Sequence, residues 1–360
     1  MSRTGCFGAC PGATAVVPCP HRRSSPESAL NQCELKKNIT LTEVREENVM
    51  RPRARNFAFS LLVAIGAANQ YAQAAHLSVN CDKHESISKV LRLLAKTNPQ
   101  GPNRVTVSGS CEGNLVIQSM DRLTLITTTG ASISDRSDGN LAVVDIEDSH
   151  SVTVQGFTIN GGAQGILCNT ASVCYLTSNT IQGPGKRFGV DVLRGSRAFL
   201  ESNVIQNWAR GAFITGSAEV FSSNDVFQGN GGSAIAVLNR SYFESLNSSL
   251  DNNGVGIEAG GSGVFLGGGT ISGNTFDGVR VLAASEAIFS GPTITANGGV
   301  GVQVIDGSFA AFLAASITGN LSGLDVDCEP QFPIARFVDR TGGITNCVEP
   351  TSKSPLKDLK

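Results

Sequence analysis

Three recurring patterns predict an all-β chain wound as a right-handed parallel β-helix of about nine to ten coils, with an N-terminal capping helix. A phrase of about 22 to 24 residues is repeated, apolar and polar residues alternate inside it, and asparagine recurs near its end. A repeat of this length is typical of a solenoid, in which each unit stacks on its neighbours to bury its apolar face. The phrase begins at Val143, Gly165, Gly189, Gly211, Ala234, Gly256, Gly278, Gly301 and Gly323.

The alternation inside each phrase has a period of two, which predicts strands with one buried face. The first strand of each coil is predicted to point these pairs inward: Val144/Ile146, Ile166/Cys168, Val190/Val192, Ile235/Val237, Ile257/Ala259, Val279/Val281, Val302/Val304 and Leu324/Val326. The second strand gives Val152/Val154, Ala287/Phe289 and Ala310/Phe312, and the third gives Ile159, Ile181, Ile205, Val226, Leu250, Ile271, Ile294 and Ile317. Leucine-rich repeats share the period, but they need denser leucines and a helical segment in each repeat. Neither is visible.

A column of asparagines follows the third strand, at Asn230, Asn253, Asn274, Asn297 and Asn320. Stacked asparagines can hydrogen-bond from coil to coil through their side-chain amides, and asparagine tolerates the backbone of a tight turn. The alternative is an external ridge that binds sugars. The column follows the turn rather than a face, which favours an internal ladder.

The stretch between Cys81 and Cys111 predicts a cap for the N-terminal end of the coils. Residues 86–96 form one amphipathic helix, and Asn98 to Pro102 ends it. A helix at this place covers the open core and the unpaired strand edges of a β-helix. A helix that lies on a membrane surface is the alternative. The predicted apolar face consists of Ile87, Val90, Leu91, Leu93 and Leu94.

The residues that follow Met50 have the order of a secretory signal. A basic segment ending at Arg55 precedes the apolar run from Phe57 to Ala68, and Ala72 and Ala74 are small residues suited to cleavage. The chain therefore divides into 1–49, a mis-assigned or disordered extension, 50–74, the signal peptide, and 75–114, the N-terminal cap. The parallel β-helix follows over 115–327, and a C-terminal cap and tail over 328–360. Secretion, with no integral membrane segment after cleavage, is the expected localisation.

Six cysteines remain after that cleavage, an even number that suits an oxidising compartment. Cys81 with Cys111 and Cys328 with Cys347 are candidate disulfides at the two ends of the rod. Cys168 and Cys174 both fall on inward positions. They could form a disulfide across the lumen or remain two buried thiols. The upstream cysteines and His21 fit no common zinc spacing, so no metal and no cofactor are predicted.

The charge balance argues against two classes of partner. Of the 360 residues 16% are charged, and the formal net charge is −2, which does not suggest a nucleic-acid binder or an anionic-membrane binder. One Trp and three Tyr are few for a protein that stacks on sugars.

The capping helix, the strand at Val105–Gly109 and the run of coils resemble the pectin-lyase-like superfamily of right-handed parallel β-helix proteins. More narrowly, they are similar to secreted right-handed parallel β-helix repeat proteins. The resemblance covers about residues 77–347. It implies the fold and leaves the function open, because this fold hosts lyases, hydrolases, epimerases, adhesins and tailspikes.

Catalytic motifs of such enzymes are missing from the sequence. Lyases need acidic residues clustered on neighbouring coils together with a basic residue, and hydrolases need close aspartates. The Asp-Pro-His-Asp motif of the epimerases is absent, and His150 is the one histidine of the coiled body. The predicted outward column of the first strand places no two acids on adjacent coils: Asp145, Leu167, Asp191, Phe213, Ala236, Glu258, Arg280, Gln303 and Asp325.

One basic patch is a candidate ligand site, because a period-breaking insertion at residues 182–188 surrounds the sole tryptophan with cations. Such a patch could hold an acidic polysaccharide through ionic contacts and stacking. Alternatively, the turn is merely solvated and Trp208 covers a local gap. The predicted function is a noncatalytic, adhesive or glycan-binding protein; the alternatives are a polysaccharide lyase or glycoside hydrolase, and a passive spacer. The patch consists of Lys186, Arg187, Asp191, Arg194, Trp208 and Arg210.

Overall fold

Three parallel sheets form the walls of a β-helix in a computed structural model, which describes residues 74–328, 335–338 and 343–347. Each coil contributes one strand to sheet 1, then one to sheet 2, then one to sheet 3, and every strand pairs with its equivalents in the coils before and after. The predicted right-handed parallel β-helix is confirmed. The extension at 1–49, the signal peptide up to residue 73 and most of the C-terminal tail lie outside the described residues.

The strand bounds show that the coils begin well before the first repeated phrase. Sheet 1 contains Leu115–Gln118, Val144–Glu147, Gln164–Asn169, Phe188–Leu193, Arg210–Thr215, Ser233–Leu238, Val255–Gly260, Val279–Leu282, Val302–Val304 and Val326–Cys328. Sheet 2 contains Ala75–Asn80, Asn103–Ser108, Leu123–Thr127, Val152–Gln155, Val173–Thr177, Arg197–Glu201, Glu219–Ser223, Tyr242–Leu246, Gly263–Gly267, Glu286–Ser290, Phe309–Leu313 and Ala335–Val338. Sheet 3 contains Ser110–Glu112, Ser132–Ser134, Thr158–Asn160, Thr180–Gln182, Val204–Gln206, Val226–Gln228, Ser249–Asp251, Thr270–Ser272, Thr293–Thr295 and Ser316–Thr318.

The core is the lumen between the sheets, and the predicted inward residues fill it with two exceptions. Phe227, not Val226, is the inward residue of its coil, because it pairs with Ile205 and is fully buried. In the last coil Val326 and Cys328 point inward and Asp327 pairs with the outward Gln303. The predicted register of that coil was therefore wrong by two residues, and the buried Asp325 does not belong to the outward column.

Each corner of the coil carries its own ladder of polar side chains. The predicted asparagine ladder is confirmed after sheet 3, where each Oδ1 accepts from the backbone N–H and the side-chain amide of the asparagine one coil earlier. A serine ladder runs between sheets 1 and 2, through residues such as Ser149, Ser172 and Ser196. Between sheets 2 and 3, Asn179 and Asn203 lead to the buried Asp225. These ladders satisfy backbone donors that would otherwise be buried without partners.

The predicted capping helix spans Ile87–Thr97, with the Ser86 side chain accepting at its N-terminus from the backbone of Lys89. Ile87, Leu91 and Leu94 are buried on its inner face. Leu93 is exposed, contrary to the predicted apolar face. A short 3₁₀ helix, Cys81–Lys83, precedes it.

All three candidate cysteine pairs form disulfides. Cys81–Cys111 ties the cap to sheet 3, and Cys328–Cys347 closes the other end. The middle pair, which the sequence left open, is the disulfide Cys168–Cys174, buried in the lumen. In the described part of the chain, no helix has the length and apolar character that a membrane span requires.

Candidate functional site

Trp208 is a core residue, which corrects the prediction of an exposed ring for stacking. Its side chain is 0% exposed, and its Nε1–H donates to the carbonyl of Ile181 at 3.2 Å. The ring fills the space left by glycines: a Cβ added at Gly183 would lie 2.3 Å from it, and one at Gly189 would lie 2.9 Å from it. Trp208 therefore covers a gap beneath the insertion and cannot stack on a ligand.

The other patch residues separate into two groups. Lys186, Arg187 and Arg210 lie together, since Arg210 donates its backbone N–H to the carbonyl of Arg187. Arg194 is exposed, but it follows the far end of the strand Phe188–Leu193, about 20 Å along the chain from Arg187. Asp191 is 3% exposed and faces outward from the middle of that strand. Neither residue belongs to the group of cations.

Two aspartates of sheet 1 have unusual electrostatics. Burial raises the pKa of Asp191 to about 6, against the opposing effects of the Gln164 amide and the Arg187 guanidinium. Burial, reinforced by Glu147, raises the pKa of Asp145 to about 6 as well. The two lie on either side of Leu167 in the outward column. In both cases burial is the main cause of the raised pKa.

An open groove of about 500 Å³ runs along the corner where sheet 3 passes into sheet 1. Arg210, Ser233 and Val255 begin three consecutive strands and form one wall, and Phe276 stands at the end of the row. Gly231, Gly232 and Gly254 form the floor of the groove, which therefore carries no side chains. A larger residue would not fit at Gly254, because its Cβ would lie 2.6 Å from the carbonyl oxygen of Gly231. The groove thus exposes backbone along its length.

Two arginine–carboxylate pairs border this groove. The Nε of Arg280 donates to Oδ2 of Asp277 at 2.6 Å, and Oδ1 of Asp277 accepts from the backbone of Val300. Across the groove, Glu258 Oε2 accepts from the Ser233 hydroxyl at 2.8 Å and lies 3.9 Å from Nη2 of Arg210. Both carboxylates are therefore held by partners.

Aromatic rings lie under the same arginines. The guanidinium of Arg210 lies over Phe213, 5.7 Å from the ring centroid, and Phe213 stacks on Phe188 at 4.5 Å. The guanidinium of Arg280 lies 6.0 Å from the ring centroid of Phe276, and Phe276 is 54% exposed. Phe276 thus presents an exposed aromatic ring in a concave part of the surface.

The insertion brings exposed positive charge near one end of the groove. Gly185 lines the groove, and the next two residues, Lys186 and Arg187, are exposed. The Lys186 ammonium lies beside Gly139, in an earlier coil, and the charge of Arg187 acts on Asp191, so of the two only Arg187 is placed near the groove. Of the cations that the sequence singled out, Arg210 lines the groove, whereas its centre, at Phe276 and Glu258, was not identified from the sequence.

The described residues thus form a parallel β-helix with an open groove along one corner. A family model described as the right handed beta helix region matches residues 142–263 and 188–329. These matches together cover more than half of the chain, so the protein belongs to this family. The right-handed parallel β-helix that the sequence resemblance implied is thus confirmed.

Solved structures with the same fold share little sequence with this chain. The A-module of mannuronan C-5 epimerase AlgE6 from Azotobacter vinelandii has a TM-score of 0.55 at 15% identity, covering 67% of this chain and 74% of that module. Pectate lyase Pel9A gives 0.53 at 10% identity, with 79% and 83% covered. The enzymatically active domain of bacteriophage CBA120 tailspike protein 2 gives 0.51 at 10%, with 69% and 46% covered. Such identities show the fold alone. A comparison with curated protein sequences found no match.

Proposed function

We propose that the protein is a secreted, noncatalytic glycan-binding protein that holds an acidic polysaccharide in the groove along sheet 1. The observation that carries the proposal is the exposed ring of Phe276, set in a groove with a glycine floor and lined by Arg210 and Arg280, with the exposed Arg187 near one end. The groove is parallel to the rod axis and spans the starts of successive strands about 4.8 Å apart, so it suits a chain rather than a compact molecule.

Each side of the groove would contribute a different interaction. The ring of Phe276 presents apolar surface to the C–H face of a sugar, and glycines allow the chain to approach the backbone. Arg210 and Arg280 are largely neutralised by Glu258 and Asp277, so they orient hydroxyl groups rather than add net charge. The exposed Arg187 supplies the net positive charge that favours a carboxylate-bearing chain.

A binding role suits these carboxylates better than catalysis does. Asp277 accepts hydrogen bonds at both oxygens and Glu258 is shared between Ser233 and Arg210, so both are committed to structure. Asp191 is almost completely buried, so a ligand has little access to its carboxyl group. Supporting evidence for a glycan comes also from the fold, which the epimerase and the pectate lyase share.

Calorimetric titration with oligogalacturonate and oligomannuronate tests the proposal. Wild-type protein should bind at least one of them, and binding should weaken as salt rises, because exposed ionic contacts are screened over about 8 Å at physiological ionic strength. Phe276→Ala, and the double change of Lys186 and Arg187 to alanine, should each weaken binding about tenfold with an unchanged melting temperature. Arg194→Ala is the matched control, an exposed arginine beyond the far end of the same strand.

Two results would contradict the proposal. Binding that is unaffected by Phe276→Ala and by the double change would remove the groove as the site. Conversion of either oligomer, seen as unsaturated product in the ultraviolet or as new reducing ends, would identify an enzyme instead. In that case Asp191→Asn would show whether the buried carboxyl takes part.

Export is a separate part of the proposal. The three disulfides suit an oxidising compartment. Amino-terminal sequencing of the exported protein should find a start just after Ala74. A mature protein that retains residues 1–49 would contradict the signal at Met50.

A further inference from the structure

The outer face of sheet 2 carries a column of aromatic side chains, most of which stack on one another. Tyr175, Phe199 and Phe221 occupy equivalent positions in consecutive strands. Their ring centroids are 5.0 and 5.2 Å apart, with planes within 10° and 14° of parallel. Rings stacked in this way cover one another's faces and turn their edges to solvent. This part of the column stabilises the coils and offers no ring face to a ligand.

Phe265 stands outside this stack for a structural reason. Glu244 occupies the column position between Phe221 and Phe265, which places the two phenylalanines two strands, or about 10 Å, apart. The outward positions on either side of Phe265 in its own strand are Gly263 and Gly267. No side chain of that strand therefore flanks the ring.

The ring of Phe265 leans along its strand over Gly267. A Cβ added at Gly267 would lie 3.2 Å from Cε1 of Phe265 and 2.6 Å from Cδ2 of Leu246. At the other end, a Cβ added at Gly263 would lie 3.1 Å from Cδ2 of Tyr242. The two glycines thus leave space for the side chains of Phe265, Tyr242 and Leu246 to lie close to the sheet, with the ring of Phe265 between the other two.

On the next strand Ile288 pairs in register with Phe265, and both are partly exposed, so the platform consists of Phe265, Ile288, Tyr242 and Leu246. Two carboxylates stand among these residues. Tyr242 donates its hydroxyl to Oε2 of Glu244 at 3.3 Å. Burial, with the charge of Glu244, raises the pKa of Tyr242, so the phenol remains a donor. Oε1 of Glu244 accepts no hydrogen bond from the described residues. Glu286 pairs in register with Gly263 and is exposed on the same face. These oxygens accept hydrogen bonds and repel anions.

We propose that the Phe265 platform is a second binding site, for a neutral polysaccharide chain whose pyranose ring packs on Phe265 and whose hydroxyls donate to Glu244 and Glu286. An acidic chain is disfavoured by the same carboxylates. The platform spans about three strands of five residues, on the order of 200 Å². A stable protein interface needs about 800 Å² on each partner, so a second copy of the chain does not fit this surface as well as a saccharide does.

Titration of the full chain with cellohexaose and, separately, with oligogalacturonate tests the site. Cellohexaose should bind wild-type protein, and Phe265→Ala should weaken that binding about tenfold. Phe265→Leu, which keeps apolar volume but removes the aromatic face, should weaken it as well. Phe199→Leu is the matched control, because both faces of Phe199 are covered by the rings of Tyr175 and Phe221. Phe276→Ala in the groove should leave cellohexaose binding unchanged, which separates this site from the proposed function.

Three outcomes would overturn the proposal: no binding of cellohexaose by the wild type, equal binding by Phe265→Leu and wild type, or equal losses for Phe199→Leu and Phe265→Leu. Sedimentation that shows a dimer of the wild type and a monomer of Phe265→Ala would assign the platform to a second copy instead. Circular dichroism of each variant confirms that the fold is retained.

Discussion

Replacing Asn274 by alanine tests whether the asparagine ladder holds the coils together. Asn274 is 1% exposed. Its Oδ1 accepts from the backbone and side-chain nitrogens of Asn253 at 2.9 and 3.1 Å. Its Nδ2 donates to the carbonyl of Leu250 and to Oδ1 of Asn297. The alanine variant removes all four of these hydrogen bonds but keeps the backbone.

The cost follows from the one group that is left without its partner. The Asn253 backbone N–H would be left unpaired in a dry corner, whereas the Leu250 carbonyl lies in a paired strand and the Asn253 amide keeps its bonds to Phe227 and Asp251. An unsatisfied buried group costs about 1 to 3 kcal/mol, which predicts a loss of about 2 kcal/mol in the free energy of unfolding. Asn274 does not adopt a positive φ, so no backbone strain confounds the change.

Urea denaturation followed by circular dichroism measures this loss. Solenoids can unfold in parts, so hydrogen exchange at the Asn253 amide gives a local measure, and its protection should fall. Asn140→Ala is the control: Asn140 is exposed, lacks a positive φ and bonds only to the nearby Ser137. Its cost should stay below about 1 kcal/mol. Equal costs for the two variants, or unchanged protection at Asn253, would refute the ladder argument.

Three further changes test other parts of the fold. Val281→Asp introduces a charge into the lumen and should cost more than about 4 kcal/mol in urea denaturation; a mild effect would mean that water reaches the lumen. Replacing Cys81 and Cys111 by alanine should cost about 3.5 kcal/mol, because their disulfide spans 30 residues, and reduction of the wild type should reproduce the loss. Asp191 keeps its proton up to about pH 6 in the folded chain, against an ordinary pKa of 3.8, so its contribution to wild-type stability should fall between those values as pH rises, by at most about 3 kcal/mol, and Asp145 adds a fall in the same direction. Asp191→Asn should reduce the total fall without removing it, in denaturation curves taken at several pH values.

The coils could be predicted from the sequence because stacking repeats the same inward positions in every turn. The two register errors arose where alternation is ambiguous, as at Val226 and Phe227, which are both apolar. A signal was present: the inward residue of sheet 3 stands three positions before the ladder asparagine, and Phe227 stands three before Asn230. By the same count from Ile205, Trp208 occupies the ladder position, and its backbone N–H does donate to Asn230. Its burial was thus readable from the repeat.

The groove could not be read from the sequence in the same way. Phe276 lies in a corner whose length differs between coils, and its exposure depends on how neighbouring corners fold. The glycines at Gly231, Gly232 and Gly254 gave the one available indication, since small residues in successive corners leave space beside a large one. Pairing of Asp277 with Arg280 depends on side-chain direction, which a repeat alignment does not give.

Inner and outer positions of the coils are under different structural constraints, and this explains why the two proposed sites differ in charge. Lumen residues and corner ladders repeat because stacking requires it, whereas outward residues are under no such requirement. On sheet 1 the outward column passes through Phe213, Ala236, Glu258 and Arg280, and the insertion adds Arg187 beside it. On sheet 2 it passes through Phe221, Glu244 and Phe265. The same scaffold therefore presents a cationic groove on one wall and an anionic aromatic platform on another, and if both proposals hold, an acidic and a neutral glycan can be bound at once without competing for the same residues.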